Sequence, residues 1–386
     1  MTPGGFQGLA GPPPAGFPRQ PAAAISSLPQ GRHAPLPPRP ANLSKKDRMI
    51  RRLSRSFAIG AFVLIVLFSA LWGSFALWFQ LPLETAPKLG VIALFNLLAA
   101  LTIAGTFWRR ARHAFIAYGA AYLALILWWG TIHPTNDRDF APPVAHGVTG
   151  VLRGDVLTMQ NVRNFSWRSP DDFTETWEER SYKLSDLTSA DFYLVYFMGP
   201  LIAHSMVSVG FKDGRHLLFS IEIRPERGEA FSAIAGFFKR YELVFLAGDE
   251  RDYLFLRKAQ DEDTRLYRLA VTPEQARALL LQYVWEANRL ELHPQFYNTL
   301  TANCTTTIFV LIRSIFPQFP LDWRVLLNGF LPSFAFQHGL VDTRIPLDEL
   351  IRRAAVSDRI KMGLSEVAFG QRLRENVPDP NAPARP

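Results

Sequence analysis

Three long apolar stretches, none of which contains a charged residue, dominate the first third of the chain. They run from about Phe57 to Phe79, from about Leu89 to Trp108 and from about Ala114 to Gly130. Each approaches the ~20 residues that an α-helix needs to cross ~30 Å of hydrocarbon. A buried helix pair in a soluble protein is the alternative, but three uncharged stretches in succession favour membrane insertion. We therefore predict a three-helix transmembrane anchor over residues 45–132.

Basic residues flank these predicted spans unevenly. Six lie shortly before the first span and three lie between the second and the third, whereas the first loop carries only Glu84 and Lys88. The positive-inside rule then places the N-terminus and the second loop in the cytoplasm. We expect an inner-membrane protein whose residues 133–386 form a periplasmic domain. The basic residues concerned are Lys45, Lys46, Arg48, Arg51, Arg52, Arg55, Arg109, Arg110 and Arg112.

The formal net charge of +8 follows this division of the chain. Residues 1–55 hold nine Lys and Arg against one Asp, while the part from Pro134 onward holds 29 Lys and Arg against 32 Asp and Glu. The excess positive charge is thus a topology signal, and the sequence does not indicate nucleic acid as a partner. Residues 1–44 are rich in Pro, Gly and Ala, and we expect them to form a disordered cytoplasmic tail.

Beyond the spans, two alternating segments flank a turn with the sequence Lys212-Asp213-Gly214. The first runs from His204 to Phe211 and the second from Arg215 to Arg224. Alternation around a glycine-containing turn is typical of a β-hairpin with one buried face. The apolar residues expected on that face are Val207, Val209 and Phe211 of the first strand, and Leu217, Phe219, Ile221 and Ile223 of the second.

The register of this hairpin brings a histidine beside a carboxylate. A three-residue loop that ends in a left-handed Gly214 sets His204 opposite Glu222 and Met206 opposite Ser220. A two-residue loop would set an isoleucine opposite His204 and turn the apolar set of one strand to the polar face of the other, which a half-buried sheet resists. We therefore predict that a carboxylate orients His204 as a general base and stabilises its imidazolium.

The single cysteine of the chain, Cys304, falls at the start of a second pattern. From about Ala302 to Phe316 apolar residues recur with helical spacing, and Thr301 or Asn303 is a candidate cap. In the first helical turn, unpaired N–H groups and the helix dipole favour a thiolate, and the same groups can serve an oxyanion. A lone thiol in an oxidising compartment suggests a nucleophile. The alternative is a small buried hydrophobe.

Six short runs lie in order between about residues 155 and 320. They are Arg163-Asn164-Phe165, Ile202-Ala203-His204-Ser205, Ser220-Ile221-Glu222-Ile223-Arg224, Tyr241-Glu242-Leu243, Asp249-Glu250-Arg251-Asp252, and Phe296-Tyr297-Asn298 through Asn303-Cys304-Thr305. As an ordered and spaced set they resemble the Lnb N-terminal periplasmic domain family. Lnb itself is a membrane lipoprotein N-acyltransferase, and proteins of its type carry their membrane helices after the domain, whereas here three predicted spans precede it.

The resemblance implies an α+β architecture in which three transmembrane helices precede a circularly permuted papain-like, or NlpC/P60-like, domain. Such a domain has an antiparallel sheet and a cysteine-bearing helix. The resemblance further implies Cys304 as nucleophile and His204 as base, with the histidine before the cysteine in the chain. It does not imply Lnb's own reaction.

The identity of the third catalytic residue stays open. Glu222 is our candidate for the group that orients the histidine. A salt bridge from Glu222 to Arg224 or Arg251 is the alternative, and Ser220 or Asn303 would then supply the polar contact instead.

Four residues are candidates for contact with a substrate: Asn303, Tyr297, Arg224 and Arg251. A guanidinium binds an anionic head group or a carboxylate well. The arginines equally suit structural ion pairs, and Tyr297 suits a role in fixing the loop before the cysteine. The acidic residues available for such pairs are Glu226, Glu250 and Asp252.

Metal and nucleotide chemistry have no support in the motifs. His216, His293 and His338 lack the HxxH or HExxH spacing of metal sites. There is no G-x-G-x-x-G or Walker run for a nucleotide. We therefore predict no cofactor.

The sequence favours an enzyme: an inner-membrane protein whose periplasmic domain is a thiol hydrolase or acyltransferase. Cys304 would attack an ester or amide of a lipid, a lipoprotein or another cell-envelope molecule, so that membrane lipids or lipoproteins are the expected partners. The alternative is a non-catalytic, membrane-tethered binding or assembly module that retains the fold. The sequence does not indicate an oligomeric state.

Overall fold

A computed structural model describes residues 44–107, 112–197 and 199–383 of the 386-residue chain. The predicted tail lies outside these residues except for Ser44, and so do Arg109 and Arg110 of the second loop. The chain divides into two compact units, Met1–Ala58 and Ile59–Pro386. In the first unit, the described residues form the polar beginning of a long helix. The second unit holds the remaining helices and the strands.

Three apolar helices come first: α1 (Lys45–Gln80), α2 (Thr85–Gly105) and α3 (Arg112–Gly130). The Ser44 hydroxyl accepts a hydrogen bond from the Asp47 N–H at 3.1 Å, which caps the start of α1. All three helices are long and apolar enough to cross a membrane. The predicted succession of three apolar spans is therefore confirmed.

The three helices pack on one another through small and aromatic residues. Gly73 of α1 lies so close to α2 that a Cβ atom there would approach the ring of Phe95 to 2.5 Å. The Ser69 hydroxyl lies 2.7 Å from that of Tyr118 on α3, so a polar pair is satisfied within the bundle. Leu64 on α1 is exposed, as the lipid-facing side of a span requires.

The rest of the described chain folds into ten strands and six α-helices. In chain order these are β1 (Thr149–Arg153), β2 (Val156–Arg163), β3 (Ser166–Ser169), β4 (Asp172–Thr174), β5 (Trp177–Lys183), β6 (Leu187–Tyr196), β7 (Ala203–Phe211), β8 (His216–Arg224), β9 (Glu242–Gly248), α4 (Glu250–Ala259), β10 (Asp263–Arg268), α5 (Pro273–Leu292), α6 (Cys304–Ile315), α7 (Leu331–Gln337), α8 (Leu347–Ala354) and α9 (Glu366–Arg374).

Eight of these strands form one sheet in the order β1-β2-β9-β8-β7-β6-β10, with β5 pairing to β2. The sheet is mixed, because β2 runs parallel to β9 over Val162 and Arg163 while the other pairs are antiparallel. The α+β architecture was thus predicted correctly, and the predicted antiparallel sheet is wrong only for the β2–β9 pair. Because β2 and β9 lie far apart in the chain, this parallel contact is a non-local pairing that no local pattern could predict.

The predicted hairpin is present as β7 and β8. Phe211 donates its N–H to the Arg215 carbonyl at 3.0 Å, and Gly214 adopts the left-handed conformation with φ of 82°. The ladder pairs Met206 with Ser220, which confirms the register derived from the three-residue loop.

The expectation that only one face of this hairpin is buried was wrong. Val207 and Phe219 pack against α5 and α6 on one side of the sheet. Met206 and Leu218 belong to a second core that includes residues of α4 and α9 on the other side. Both strands are central in the sheet and are covered by helices from later in the chain, so the polar residues of the hairpin are buried as well.

Candidate active site

Cys304 is the first residue of α6, and Asn303 is its N-cap. The Asn303 side-chain oxygen accepts hydrogen bonds from the N–H groups of Thr305 and Thr306, each at 2.9 Å, and the Asn303 N–H donates to the Thr306 hydroxyl at 3.0 Å. This capping box confirms one of the two predicted caps. It also occupies two of the N–H groups expected to serve an oxyanion. Within the described chain, the Cys304 N–H has no hydrogen-bond acceptor.

His204 of β7 lies beside a carboxylate, as the register predicted. Its Nε2 atom lies 2.8 Å from the Ser220 hydroxyl and 3.0 Å from Oε1 of Glu222. The Ser220 hydroxyl in turn donates to Oε1 of Glu222 at 2.7 Å. Both candidate third residues, the glutamate and the serine, therefore contact the same imidazole nitrogen.

The two strands separate where these side chains meet. The β7–β8 ladder ends at Met206 and Ser220, although β7 stays paired with β6 as far as Ala203 and β8 with β9 as far as Arg224. The β6–β7 and β8–β9 pairs therefore continue beyond the point at which β7 and β8 stop pairing with each other. The side chains of His204, Ser220 and Glu222 meet at this point.

The imidazole also interacts with the thiol. His204 and Cys304 line the same cavity, and each of the two groups shifts the pKa of the other. The carboxylate, the imidazole and the thiol thus form one interacting set, and a base beside a thiol is what nucleophilic activation of a cysteine requires.

Electrostatics favour an ion pair between the two. Burial by itself raises the pKa of Cys304, but the charge and hydrogen bond of His204 outweigh it, and the pKa is lowered. Burial likewise acts to lower the pKa of His204, yet the negative charges of Glu222 and Cys304 raise it well above its usual range. A thiolate beside an imidazolium is the form that both directions support.

Glu222 is held ionised by the same set of charges. Burial acts to raise its pKa, but the charge and hydrogen bond of His204, then Arg257, then Ser220, bring it below its usual range. The Arg257 guanidinium lies 3.4 Å from Oε1 of Glu222, and its other terminal nitrogen lies 3.6 Å from Glu262. The local sequence contains no signal that would have placed Arg257 here, because it lies on α4 and reaches the site only through packing.

A second polar group, also missed from the sequence, fixes the backbone around the site. Asn328 is buried, and its side chain accepts a hydrogen bond from the Ala203 N–H at 2.7 Å and donates one to the Ala203 carbonyl. It also donates to the Thr305 hydroxyl at 2.5 Å, which lies 2.9 Å from the Ser205 hydroxyl. Asn328 thereby ties the strand before His204 to the helix that begins at Cys304.

These residues line one cavity of about 520 Å³. Its lining includes the ionisable side chains of His204, Glu222, Arg257, Glu262 and Cys304, together with a larger set of apolar residues. The apolar lining residues are Phe197, Ile202, Ala203, Ile221, Ile223, Phe231, Ala233, Val325 and Leu326. Such a cavity combines convergent polar groups with an apolar wall, as binding sites for small molecules commonly do.

The four predicted substrate contacts divide into two pairs. Tyr297 and Asn303 line the cavity, whereas Arg224 and Arg251 do not. Arg224 is buried and donates to the carbonyls of Val144 and Ala145.

Arg251 forms an ion pair at 2.6 Å with Asp249, the N-cap of its own helix. A third arginine, Arg163, pairs with Asp252 at 2.8 Å, as the structural alternative proposed. These arginines therefore serve the fold of the domain, and the cation beside the site is a different residue, Arg257.

The described part of the chain contains no group of three or more His, Cys, Asp or Glu side chains placed to hold a metal ion. His216 lies buried in another part of the sheet, against α9.

Comparison with known proteins gives one match. No curated protein and no solved structure shows a significant similarity to the chain. Residues 173–329 match the family model described as the Lnb N-terminal periplasmic domain. The matched range includes His204, Glu222, Cys304 and Asn328, while the run at Arg163 lies before it. Residues 173–329 of the chain are thus similar to the Lnb N-terminal periplasmic domain, as the ordered motifs had indicated, and three apolar helices precede them.

Proposed function

We propose that this protein is a membrane-anchored thiol hydrolase or acyltransferase. Cys304 is the nucleophile, His204 the general base and acid, and Glu222 the group that orients the imidazole and stabilises its positive charge. The observation that carries the proposal is the position of His204, which lies 3.0 Å from Glu222 and lines the same cavity as Cys304, with which it shifts pKa values mutually.

The first half of the reaction forms an acyl-enzyme. The Cys304 thiolate attacks the carbonyl carbon of an ester or amide, and the carbonyl oxygen takes up the electron pair. The Cys304 N–H, which has no acceptor within the described chain, is placed to donate to that oxygen. As the tetrahedral intermediate collapses, the imidazolium of His204 gives its proton to the leaving alcohol or amine.

The second half returns the enzyme to its starting state. Neutral His204 takes a proton from water or from an amine, which attacks the thioester carbonyl. Water yields an acid, and an amine yields an amide. The thiolate leaves, and the imidazolium and thiolate are restored as a pair. The Glu222 charge stabilises the imidazolium in both halves of the reaction, because its carboxylate lies 3.0 Å from Nε2 of His204.

The chain topology supports a circularly permuted papain-like domain. The histidine strand β7 precedes the cysteine helix α6 in the chain, and the helix packs on the sheet that contains β7. The positive-inside pattern supports an inner-membrane anchor with the N-terminus in the cytoplasm and the domain in the periplasm. The family match supports the periplasmic side for the domain.

The cavity favours an acyl group on a lipid or a lipoprotein as the substrate. Its exposed lining is mostly apolar, and the same cavity holds the thiol, Arg257 and Glu262. An acyl chain would lie along the apolar wall with its carbonyl at the sulfur. A lipid or lipoprotein also meets a membrane-anchored enzyme in two dimensions, which raises the rate of encounter.

The test is labelling of Cys304 with a thiol-reactive probe as a function of pH, in the full-length protein. Because Cys304 is the only cysteine, the label reports on one site. We expect labelling at or below neutral pH in the natural protein and its loss in His204→Ala. His293→Ala is the matched control, since this exposed histidine caps the end of α5 through its backbone.

Equal labelling of the natural protein and His204→Ala would overturn the catalytic proposal and favour a non-catalytic tethered module. If the pair is active, incubation with lipid and lipoprotein esters is expected to leave an acyl mass on Cys304, which Cys304→Ser abolishes.

A further inference from the structure

The segment between β8 and β9 packs on the ends of the membrane helices. The ring of Phe238 lies 5.4 Å from that of Phe75 and 5.7 Å from that of Phe79, both on α1. It also lies 6.5 Å from Trp72 and 6.4 Å from Trp129 near the end of α3. Aromatic residues concentrate at this level of a span because their rings suit the membrane–water interface.

Polar contacts fix the same segment to the helix ends. The Gln80 side chain donates to the carbonyls of Phe238 and Lys239 at 2.8 and 2.7 Å. The Lys239 ammonium donates to the carbonyls of Trp129 and Ile132 at 2.9 and 3.0 Å. The last carbonyls of a helix lack partners within the helix, so the bond from Lys239 to Trp129 serves the end of α3. The segment therefore lies at the depth at which α1 and α3 end.

The same segment also borders the cavity. Phe231 and Ala233 line it, and the ring of Phe231 meets that of Phe197, another lining residue, edge to face at 6.4 Å. The Thr299 hydroxyl donates to the Ala233 carbonyl at 2.7 Å, which joins the segment to the chain that leads into α6. Gly236 allows this contact, since a Cβ there would lie 2.3 Å from the Thr299 hydroxyl oxygen.

Five large apolar side chains on this segment and on the chain from Phe197 to Leu201 are exposed. They form what we call the apolar rim: Phe197, Leu201, Phe231, Ile234 and Phe237, which are between 40% and 52% exposed. Large exposed apolar groups that cluster on one surface mark a site of contact with another apolar phase. Here the cluster continues from a segment that is itself attached to the ends of two predicted spans.

We propose that the apolar rim inserts into the membrane leaflet that faces the domain, so that the cavity opens at the bilayer surface. The occupant of this surface is the lipid bilayer. Phe238 and its partners set the depth, and the rim residues of the same segment, Phe231, Ile234 and Phe237, enter the interface beside them. This seating does not depend on the proposed reaction, because a catalytically dead protein would sit in the same way.

The experiment measures the depth of single positions in full-length protein reconstituted in phosphatidylcholine nanodiscs. In a Cys304→Ser background, one new cysteine is introduced by Phe237→Cys and labelled with a fluorophore, and the discs carry a nitroxide quencher on the upper acyl chain. We expect severalfold stronger quenching at position 237 than at a control position on the far side of the domain. Ile234→Cys gives a second reading of the rim.

Leu152→Cys is the matched control, because Leu152 is 41% exposed and Phe237 is 45% exposed. The turn beside Leu152 lies at the opposite end of the sheet from the site: Leu184 donates to the Asp155 carbonyl, and Lys212 of the hairpin turn donates to that of Asp186. Quenching at 237 and 234 that is no stronger than at 152 would overturn the proposal. Thermal unfolding of each labelled protein shows whether it is folded, and labelling of Cys304 in the unaltered protein tests the catalytic proposal separately.

Discussion

Nε2 of His204 lies 3.0 Å from Oε1 of Glu222, at a point where the backbone pairing of their two strands has already ended. The Ser220 hydroxyl lies 2.8 Å from the same nitrogen and donates to the same carboxylate oxygen. The contact therefore depends on side chains rather than on the ladder. The charge of Glu222 thus acts directly on the imidazole that lowers the pKa of Cys304.

Replacement of Glu222 by Gln is expected to weaken the ion pair at Cys304. The substitution keeps the shape of the side chain but removes the charge that stabilises the imidazolium. An opposite charge at such a distance shifts a pKa by about 1–3 units, so the pH at which Cys304 becomes labelled should move upward by that order. Titration of the labelling rate measures it. Glu226→Gln, in an ion pair with Arg138 outside the cavity, is the control and should leave the titration unchanged.

The pH profile of kcat/KM should be bell-shaped. The active form holds a thiolate and an imidazolium, so kcat/KM rises with pH as Cys304 loses its proton, at a pKa below that of an ordinary thiol. It falls again only as His204 loses its proton, at a pKa above that of an ordinary histidine. The measurement is a pH profile with a soluble thioester or ester. An acid limb that lies at the ordinary cysteine pKa of ~8.5 would contradict the assignment.

Asn328→Ala should reduce both stability and thiol reactivity. The substitution leaves the Ala203 backbone groups without their buried partner and leaves the Thr305 hydroxyl with Ser205 but without Asn328. A buried group left unsatisfied costs about 1–3 kcal/mol. Chemical denaturation gives the loss in the free energy of unfolding, and probe labelling gives the loss of reactivity. Asn381→Ala removes a single exposed contact to the Leu269 carbonyl and should change neither. Unchanged labelling in folded Asn328→Ala would remove its role in positioning the site.

Arg374→Ala should strongly destabilise the domain, although Arg374 does not line the cavity. Arg374 pairs with Asp191 at 2.6 Å and with Glu250 at 2.8 Å, and all three side chains are nearly or wholly buried. Removal of one partner from a buried ion pair costs about 3–5 kcal/mol, because the remaining charge loses its compensation. Denaturant unfolding measures the change. Arg352→Ala, which breaks an exposed pair with Glu349, is expected to have little effect.

The same network predicts loss of stability in acid. Burial acts to raise the pKa of Glu250, but the charges of Arg374 and His216 outweigh it and lower the pKa to about 2. A carboxylate whose pKa is depressed in the folded state contributes stability that is present above its unfolded pKa, roughly 4.3, and lost as the pH falls toward 2. The free energy of unfolding should therefore decline over this interval, and less steeply in Glu250→Gln. If the free energy of unfolding fell equally steeply with pH in the natural protein and in Glu250→Gln, Glu250 would not be the cause of the acid sensitivity.

Local rules predicted the hairpin and the cap because both are decided by a few neighbouring residues. Gly214 adopts the left-handed conformation that a three-residue loop needs, and that loop sets the register over the whole hairpin. Asn303 caps α6 because its short side chain reaches the N–H groups two and three residues ahead. The same reasoning failed for the second face of the sheet, since α4 and α9, which cover it, lie outside the hairpin.

The sequence by itself determined the three apolar spans, the hairpin register and the helix start that bears Cys304. Each of these follows from hydrophobic periodicity or turn geometry over a short stretch of chain. Only the tertiary structure decided that Arg257 and Asn328 join the site and that the segment after β8 lies on the ends of α1 and α3. These contacts join residues far apart in the chain: Asn328 bonds Ala203 across 125 residues, and Gln80 bonds Phe238 across 158. Contacts of that range depend on the packing of whole elements and leave no periodic trace in the sequence.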